Sequence, residues 1–296
     1  MASKTIRVLS LFSGCGGMDL GLEGGFSIHK GCINEKSNPD FIEKQERGEL
    51  VKLHSTRFQL VFANDILKEA RTAWTHYFAK YGYTPDVYRE ESIVDLVKRH
   101  KAGELVFPEK VDVVTGGFPC QDFSVAGKRN GFNSHKDHKG KIIDGEIASE
   151  ETRGKLYMWM KEVIEITKPK LFIAENVKGL VNLSNVKEII QQDFSRADGD
   201  GYIVLEPRVL HAADYGVPQS RERVIFIGIR KSALTPAARE ALMRDVIPDE
   251  YVPYPSPSHA YHIKNKGLMP PQTVGGMFAG LKEPEDSDDP AQKVYS

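Results

Sequence analysis

The stretch VDVVTGGFPCQDFS (residues 111–124) decides how this chain folds. Its β-branched start predicts a short, fully buried strand of the parallel kind. Gly-Gly and Pro119 then end that strand and place Cys120 beyond its carboxyl end. Open α/β sheets bind their ligands in the crevice outside the carboxyl ends of the strands. The stretch therefore predicts a parallel sheet with a cysteine in its ligand-binding crevice.

Similar β-branched apolar runs recur along the chain. They are Ile6 to Phe12, Phe58 to Ala63, Leu171 to Ala174 and Val224 to Ile229. Helical spacing lies between some of them, as in Tyr157, Met160 and Ile164. Ser184 and Thr235, the latter followed by proline, are placed as helix N-caps. This alternation predicts an α/β fold with a doubly wound, mostly parallel sheet and helices on both faces.

Composition excludes several classes of protein. The chain has 296 residues, and 40 Lys plus Arg against 41 Asp plus Glu give a net charge of −1. With so little net charge, the chain as a whole does not attract a polyanion electrostatically. Nucleic-acid binding would therefore need a local basic patch or another polypeptide. Three cysteines without a CxxC pair argue against a disulfide framework and a structural zinc site, and predict a reducing, cytoplasmic location. The first residues have the pattern of neither a signal peptide nor a membrane span.

Two segments interrupt the strand and helix alternation. Residues 27–57 are polar and charged and are interpreted as an insertion. Residues 120–150 lack periodicity, which indicates a functional lid or disorder. Eight of the 16 prolines lie between Pro248 and Pro290, beside an acidic run. We therefore expect a catalytic, cofactor-binding domain over 1–246, with a linker over 247–296.

A glycine-rich turn, LFSGCGGMD, follows the first strand. Glycines there let the backbone approach a ligand closely, next to the amide groups of a helix start. The candidate residues of this turn are Phe12, Ser13, Gly14, Gly16 and Gly17. A dinucleotide fingerprint would need glycine where the chain has Asp19, which weakens an NAD-dependent dehydrogenase. A tight turn without a ligand is the alternative.

Asp65 ends the second long strand, where this class of fold holds a ribose diol. It lies 51 residues after Gly14, against a usual spacing of about 20 residues. That distance fits only if residues 27–57 are an insertion. Asp65 as the N-cap of the next helix is an alternative that is compatible with ribose binding.

Three further polar groups follow strands. Glu175 and Asn176 end the strand that begins at Leu171, on the predicted edge of Cys120. An isolated glutamate would be a surface charge, and a lone cysteine is more often an inert core residue. Strand alternation puts Arg221 and Arg223 on one face, where guanidinium groups can hold a carbonyl oxygen or phosphate. Without the other motifs, these arginines would be a solvated edge with ion pairs.

Four motifs in this order resemble the cytosine-C5 DNA methyltransferase family. They are FSGCGG (12–17), GGFPCQDFS (116–124), ENV (175–177) and QSRER (219–223). The resemblance implies the Rossmann-like fold of S-adenosylmethionine-dependent methyltransferases, with S-adenosylmethionine as cofactor. It also implies a flipped cytosine that is attacked at C6 by a thiolate, so that C5 can accept the methyl group.

The resemblance also implies roles for individual residues. Cys120 is the nucleophile, Glu175 holds the N3 and N4 edge of the base, and Arg223 contacts O2. Arg221 and Gln219 support this site. Asn176 and Pro119 shape the nucleophile's loop.

For the cofactor, the resemblance assigns the glycine turn to the methionine part and adenosine. Asp65 takes the ribose and Ile66 the adenine. Where the family often has Gly-Asp-Ile, this chain reads Glu91-Ser92-Ile93. Residues 127–136 match the mobile loop that closes over the base. No metal is expected, because His135 and His138 lack a third ligand.

In the family, a target-recognition region and two last motifs follow the QxRxR strand, and they are absent here. We therefore expect a split or truncated enzyme acting on double-stranded DNA, with a second polypeptide carrying the recognition region and with no membrane association. A restriction-modification enzyme is the expected type. RNA cytosine methylation and a non-catalytic cofactor-binding subunit remain alternatives.

Overall fold

The computed structural model describes residues 4–119, 156–182, 185–199, 201–262 and 267–279. Its chain divides into two compact units. The first comprises Met1–Gly25, Ser55–Leu210 and Glu222–Pro255, and the second comprises Phe26–His54, His211–Arg221 and Ser256–Ser296.

The described part of the chain contains eleven strands and seven α-helices. In chain order they are β1 Ile6–Leu11, α1 Gly17–Glu23, β2 Ser27–His29, β3 Ile42–Gln45, β4 Leu50–Leu53, β5 Phe58–Asp65, α2 Lys68–Phe78, β6 Tyr88–Glu90, α3 Ile93–Lys101, β7 Val113–Gly116, α4 Leu156–Thr167, β8 Leu171–Val177, α5 Val186–Ser195, β9 Tyr202–Val204, β10 Arg208–His211, β11 Glu222–Arg230, α6 Pro236–Leu242 and α7 Val274–Phe278.

An eight-stranded sheet forms the centre of the first unit, in the order β10-β11-β8-β7-β1-β5-β6, with β9 beside β11. The five strands from β8 to β6 run parallel, and β11 is antiparallel to β8. The chain leaves β1 for β5 on one side and later returns to β7 on the other. Such a reversal of strand order opens a crevice at the carboxyl ends of β1 and β7. All five predicted strands and the predicted fold class are confirmed.

Both faces of this sheet are covered, as the continuous apolar runs predicted. Successive side chains of a strand point to opposite faces. Val8 accordingly packs with Trp74 and Phe78 of α2, while Leu9 packs with residues of α3 and α4 on the other side. A third cluster contains Leu205, Ile227, Leu242 and Tyr254. Because Tyr254 packs in this cluster, the first unit continues to Pro255, beyond residue 246, where we expected the compact fold to stop.

The second unit contains a three-stranded antiparallel sheet in the order β2-β4-β3. All three strands of this sheet lie within residues 27–57, which were interpreted from sequence as an insertion. Of the β3 side chains, only Ile42 is even half-buried, so this strand carries almost no apolar periodicity. Residues 256–262 and 267–279 belong to the same unit. The linker role of residues 247–296 stays a prediction.

The helix starts agree with sequence where they can be compared. The Thr235 hydroxyl accepts a hydrogen bond from Ala238 N at 3.2 Å, and Pro236 opens α6, which confirms that N-cap. Ser184 and the predicted loop over 120–150 lie outside the described residues, and Asn185 occupies the N-cap position of α5. No helix in the described ranges is long and apolar enough to cross a membrane.

Candidate active site

The glycine turn after β1 is held by hydrogen bonds to neighbouring strands. Ser13 N donates to Asn64 O at 2.8 Å. Gly14 N donates to Asp65 Oδ2 at 3.0 Å, and Gly14 O accepts from the Tyr88 hydroxyl at 3.0 Å. Burial, reinforced by the nearby Asp65 carboxylate, raises the pKa of Tyr88, so the hydroxyl stays a donor. The turn is therefore built before any ligand arrives.

The Asp65 carboxylate accepts hydrogen bonds from the backbone of the glycine turn and from the two residues that follow β5. Its Oδ1 accepts from Ile66 N at 2.7 Å and from Leu67 N at 3.2 Å, in addition to the Gly14 bond at Oδ2. An ionised carboxylate offers about four acceptor positions. These three bonds leave Oδ2 one further position for a ligand hydroxyl. The N-cap of α2 is Leu67, so Asp65 does not cap that helix.

A cavity of about 280 Å³ opens beside this turn, close to the lower end of small-molecule sites. Its walls combine apolar side chains with a few polar groups, as such sites require. The lining residues are Phe12, Asn64, Asp65, Ile66, Leu67, Ser92, Ile93, Gly117, Pro119 and Leu156. The cavity thus brings together Phe12, Asp65 and Ile66 with Pro119 of the 111–124 stretch.

The segment Glu91-Ser92-Ile93 forms one rim of the cavity. Ser92 caps α3, with its hydroxyl accepting from Val94 N at 3.3 Å. Glu91 forms an ion pair with Arg99 at an exposed site. Only Ser92 and Ile93 of this trio line the cavity. The family aspartate near the adenine amine has no acidic counterpart at Ser92.

Glu175 and Arg223 form an ion pair in the first unit. Arg223 Nε lies 2.7 Å from Glu175 Oε1. The antiparallel register of β8 and β11 sets Arg223 opposite Val177, two residues along β8 from Glu175. A Cβ at Gly117 would lie 3.2 Å from Glu175 Oε2, so glycine there leaves room for the carboxylate. The ion pair therefore lies next to Gly117, just after the end of β7.

Asn176 fixes the backbone that leads to the cysteine. Its buried Nδ2 donates to Phe118 O at 3.2 Å, and its Oδ1 accepts from Val177 N at 2.8 Å. Pro119 follows Phe118 at the cavity wall. Cys120 comes next in the chain and lies outside the described residues. Phe118 and Pro119, the two residues before the predicted nucleophile, are therefore held in place at the cavity.

The QSRER motif is divided between the two units. Strand β11 begins at Glu222 in the first unit, whereas Gln219 and Arg221 belong to the second. Both side chains are exposed. The strand alternation expected for Arg221 and Arg223 does not apply, because Arg221 precedes the strand. Within the first unit, Arg223 of this motif is paired with Glu175.

Sequence reasoning missed Asn64 and Tyr88. Asn64 Nδ2 donates to Arg89 O at 3.0 Å and to Glu91 O at 2.8 Å, which ties β5 to the rim of the cavity. The available sequence signal was an asparagine directly after the apolar run 58–63. A buried side-chain amide at such a position needs hydrogen-bond partners, which here are the carbonyl groups of the neighbouring segment. Tyr88 begins a three-residue strand that has no detectable apolar alternation.

A doubly wound sheet with a glycine turn, an acid after the next long strand and a cavity between them is the arrangement in which α/β proteins of this class bind nucleotide-type cofactors. The family model described as C-5 cytosine-specific DNA methylase matches residues 47–266. The chain therefore belongs to the C-5 cytosine-specific DNA methylase family.

Named relatives agree with this assignment. Type II methyltransferase M.BsuRI of Bacillus subtilis is 34% identical over 278 residues, covering 93% of this chain and 51% of that protein. M.BspRI of Lysinibacillus sphaericus is 34% identical over 77% of this chain and 45% of its own length. This chain thus spans about half the length of these relatives.

One solved structure supports the fold. A protein assigned as a DNA modification methyltransferase encoded within an Escherichia coli prophage superposes with a TM-score of 0.50. It shares 22% sequence identity with this chain and covers 94% of it, while the match covers 56% of that protein. At this identity the likeness concerns the fold alone.

Proposed function

We propose that this chain catalyses methyl transfer from S-adenosylmethionine to C5 of a flipped cytosine in double-stranded DNA. Family membership supports the reaction class. The main structural support for the proposal is the Glu175–Arg223 ion pair, which lies beside Gly117. Gly117 precedes Cys120 by three residues. Because the chain spans about half of its relatives, the substrate and the activity are both part of this proposal.

The residues around the cavity fit S-adenosylmethionine. Bound there, the cofactor would supply an electrophilic methyl group on a sulfonium. Asp65 would accept one ribose hydroxyl at its remaining acceptor position, and Ile66 would contact the adenine. Phe12, Ser13 and the glycines at 14, 16 and 17 would border the methionine part, where Gly14 is already fixed by Asp65 and Tyr88.

The ion pair is suited to hold the pyrimidine edge. Arg223 donates Nε–H to Glu175 and Nη1–H to Glu222 O at 2.7 Å. A guanidinium has five donors, so others remain for the O2 carbonyl of a cytosine. Glu175 would accept from the exocyclic N4 amine and stabilise a proton at N3. Asn176 and Pro119 would set the path of the chain into Cys120.

Each bond in the proposed reaction is accounted for. The Cys120 thiolate forms a bond to C6, and the conjugated electron pairs shift toward N3, which takes up a proton from solvent that Glu175 stabilises there. C5 then forms a bond to the methyl carbon as the sulfonium bond breaks. Loss of the C5 proton to a base that we leave unassigned, together with breakage of the C6–sulfur bond and release of the N3 proton, restores the cytosine ring and the Cys120 thiolate.

Mechanism-based trapping tests this proposal. The full chain is incubated with S-adenosylmethionine and a random-sequence duplex in which 5-fluorocytosine replaces cytosine. Fluorine cannot leave as a proton does, so the covalent adduct should accumulate and survive denaturation. Cys120→Ser should abolish the adduct, whereas the matched Cys32→Ser variant should retain it.

The outcomes separate the alternatives. An adduct with Cys120→Ser would contradict the assigned nucleophile. Preferential trapping of tRNA over duplex DNA would identify an RNA methyltransferase. Cofactor binding by calorimetry without any transfer would identify a non-catalytic subunit. The Type II name of the relatives is the reason to include a restriction-modification role, and the second polypeptide remains a prediction.

A further inference from the structure

Three side chains of the second unit that have no role in the proposed methylation lie close together. They are His211 at the end of β10, Asp214 three residues later and His262, which lies 48 residues beyond Asp214. One ligand-type atom from each lies within 4.8 Å of the other two. Asp214 Oδ2 and His262 Nδ1 are 3.4 Å apart.

His211 has one ring nitrogen without a partner among the described residues. Its side chain is buried, with 6% relative exposure. Nε2 lies 3.2 Å from the Ser220 hydroxyl, whereas Nδ1 makes no hydrogen bond in the described part of the chain. A buried polar atom without a partner costs free energy. With Nε2–H donating to Ser220, Nδ1 carries the lone pair that a metal ion binds.

Backbone hydrogen bonds hold the other two ligands in place. Ser258 N and His259 N both donate to Asp214 O at 2.9 Å. His262 N donates to Asp214 Oδ1 at 2.9 Å, which leaves Oδ2 facing His262 Nδ1. These bonds fasten residues 258–262 to the turn that carries Asp214, so the cluster does not depend on chance side-chain positions.

Ring contacts keep the two histidines together. The imidazoles of His211 and His262 lie edge to face, with centroids 4.4 Å apart. The Tyr261 ring stacks on His211 at 4.8 Å. The His262 side chain is 53% exposed, so its ring is accessible to a metal ion from solvent.

We propose that His211 Nδ1, Asp214 Oδ2 and His262 Nδ1 bind one borderline divalent metal ion of the Zn²⁺ type. Two imidazoles and a carboxylate are ligands of this class, whereas Ca²⁺ and Mg²⁺ prefer oxygen alone. Metal–ligand bonds of about 2.0 Å give a tetrahedral edge of about 3.3 Å, close to the Asp214–His262 separation. All three atoms already lie within 4.8 Å of one another, so modest side-chain adjustments would bring the other two separations to that spacing.

This metal would cross-link two parts of the second unit that are distant in sequence. The ion would join the Asp214 turn to the segment around His262 and satisfy the buried nitrogen of His211. Metal binding to the folded state alone stabilises that state by mass action. With three protein ligands, a water molecule would complete the tetrahedral coordination of the ion.

Cobalt titration tests the site directly. The full chain is stripped with a chelator, desalted and titrated with Co²⁺, whose visible absorption reports nitrogen and oxygen coordination. We expect one equivalent to bind, with Zn²⁺ displacing it, and Zn²⁺ at about 100 times its Kd to raise Tm by roughly 5 °C. His262→Gln should weaken binding at least tenfold, while the exposed His54→Gln variant should bind like the parent.

Each other outcome would overturn the proposal. If Co²⁺ gives no visible band and Zn²⁺ no thermal shift, then Asp214 and His262 form only a hydrogen-bonded pair. If His262→Gln binds as tightly as the parent while removal of His135 and His138 abolishes binding, the metal belongs to another part of the chain. Circular dichroism of His262→Gln establishes that this exposed substitution leaves the fold intact.

Discussion

Glycines stand at two strand ends of the first unit for different physical reasons. At the end of β1, Gly16 has a left-handed φ of 89°, and a Cβ there would lie 2.5 Å from the Phe78 ring and 2.7 Å from the Trp74 ring. At the end of β7, Gly117 is not left-handed, and its Cβ would meet the Glu175 carboxylate at 3.2 Å. The core requires the first glycine, and the second makes room for a functional group.

Gly16→Ala should have the largest effect on stability. The left-handed backbone costs about 1–2 kcal/mol for a residue with a Cβ. Overlap with two packed aromatic rings adds about 1–3 kcal/mol, because close-packed cores yield little. We expect a total loss of about 3 kcal/mol in the free energy of unfolding, measured by urea denaturation.

Gly14→Ala is the matched control for this loss. Gly14 is also left-handed, with φ 53°, but nothing lies within 4 Å of its added Cβ. It should lose only the backbone cost of about 1–2 kcal/mol. Equal losses in the two variants would show that aromatic packing does not determine the need for Gly16.

The β1 end was also the more predictable of the two from sequence. A β-branched run followed by LFSGCGG carries both the strand and its turn in adjacent residues. The acid Asp65 was found because strand ends in a parallel sheet share an edge. Its bond to Gly14 N was not predictable, since it depends on the relative height of two strands 51 residues apart in the chain.

At the β7 end, the sequence predicted which residues matter but not how they contact one another. Glu175 and Arg223 were each assigned to the base, yet their ion pair depends on the antiparallel register of β8 and β11. Arg221 was placed with Arg223 by alternation, which fails because the strand starts at Glu222. The second unit was missed because its strands are only three or four residues long and β3 exposes Glu43 and Lys44. The histidine cluster was missed because it joins segments that no sequence motif connects.

A buried carboxylate sharpens the description of the β1 end. Asp19 of α1 is fully buried and accepts a hydrogen bond at 2.8 Å from Nε1 of Trp74, the ring that fills the space at Gly16. Burial raises the pKa of Asp19 to about 6 from 3.8, against the opposing effect of the Trp74 N–H. The folded state therefore favours the protonated acid.

Asp19→Asn should change how stability depends on pH. A raised folded-state pKa gives stability that is complete below about pH 4 and is lost as pH rises through about 6. Asparagine does not titrate and can still accept from Trp74. From about pH 5 to about pH 8, we expect stability to shift by roughly 1–2 kcal/mol in favour of the variant. Urea midpoints at both pH values measure this shift, and a constant difference would contradict a buried, titrating Asp19.

Gly117→Ala should have the smallest effect on stability and a large effect on methyl transfer. Alanine requires no unusual backbone at 117, so the free energy of unfolding should change by less than about 1 kcal/mol. Its Cβ would push the Glu175 carboxylate by a few tenths of an ångström, and misplacement of a catalytic group by about 1 Å costs up to about 100-fold in rate. We expect a roughly tenfold or greater loss of kcat at an unchanged urea midpoint.

Gly21→Ala is the matched control. An added Cβ at this exposed position of α1 would meet nothing within 4 Å, so the variant should keep the parent kcat. If Gly117→Ala instead unfolds the protein as Gly16→Ala does, both glycines serve the core, and the proposed space for Glu175 is not the reason for glycine at 117.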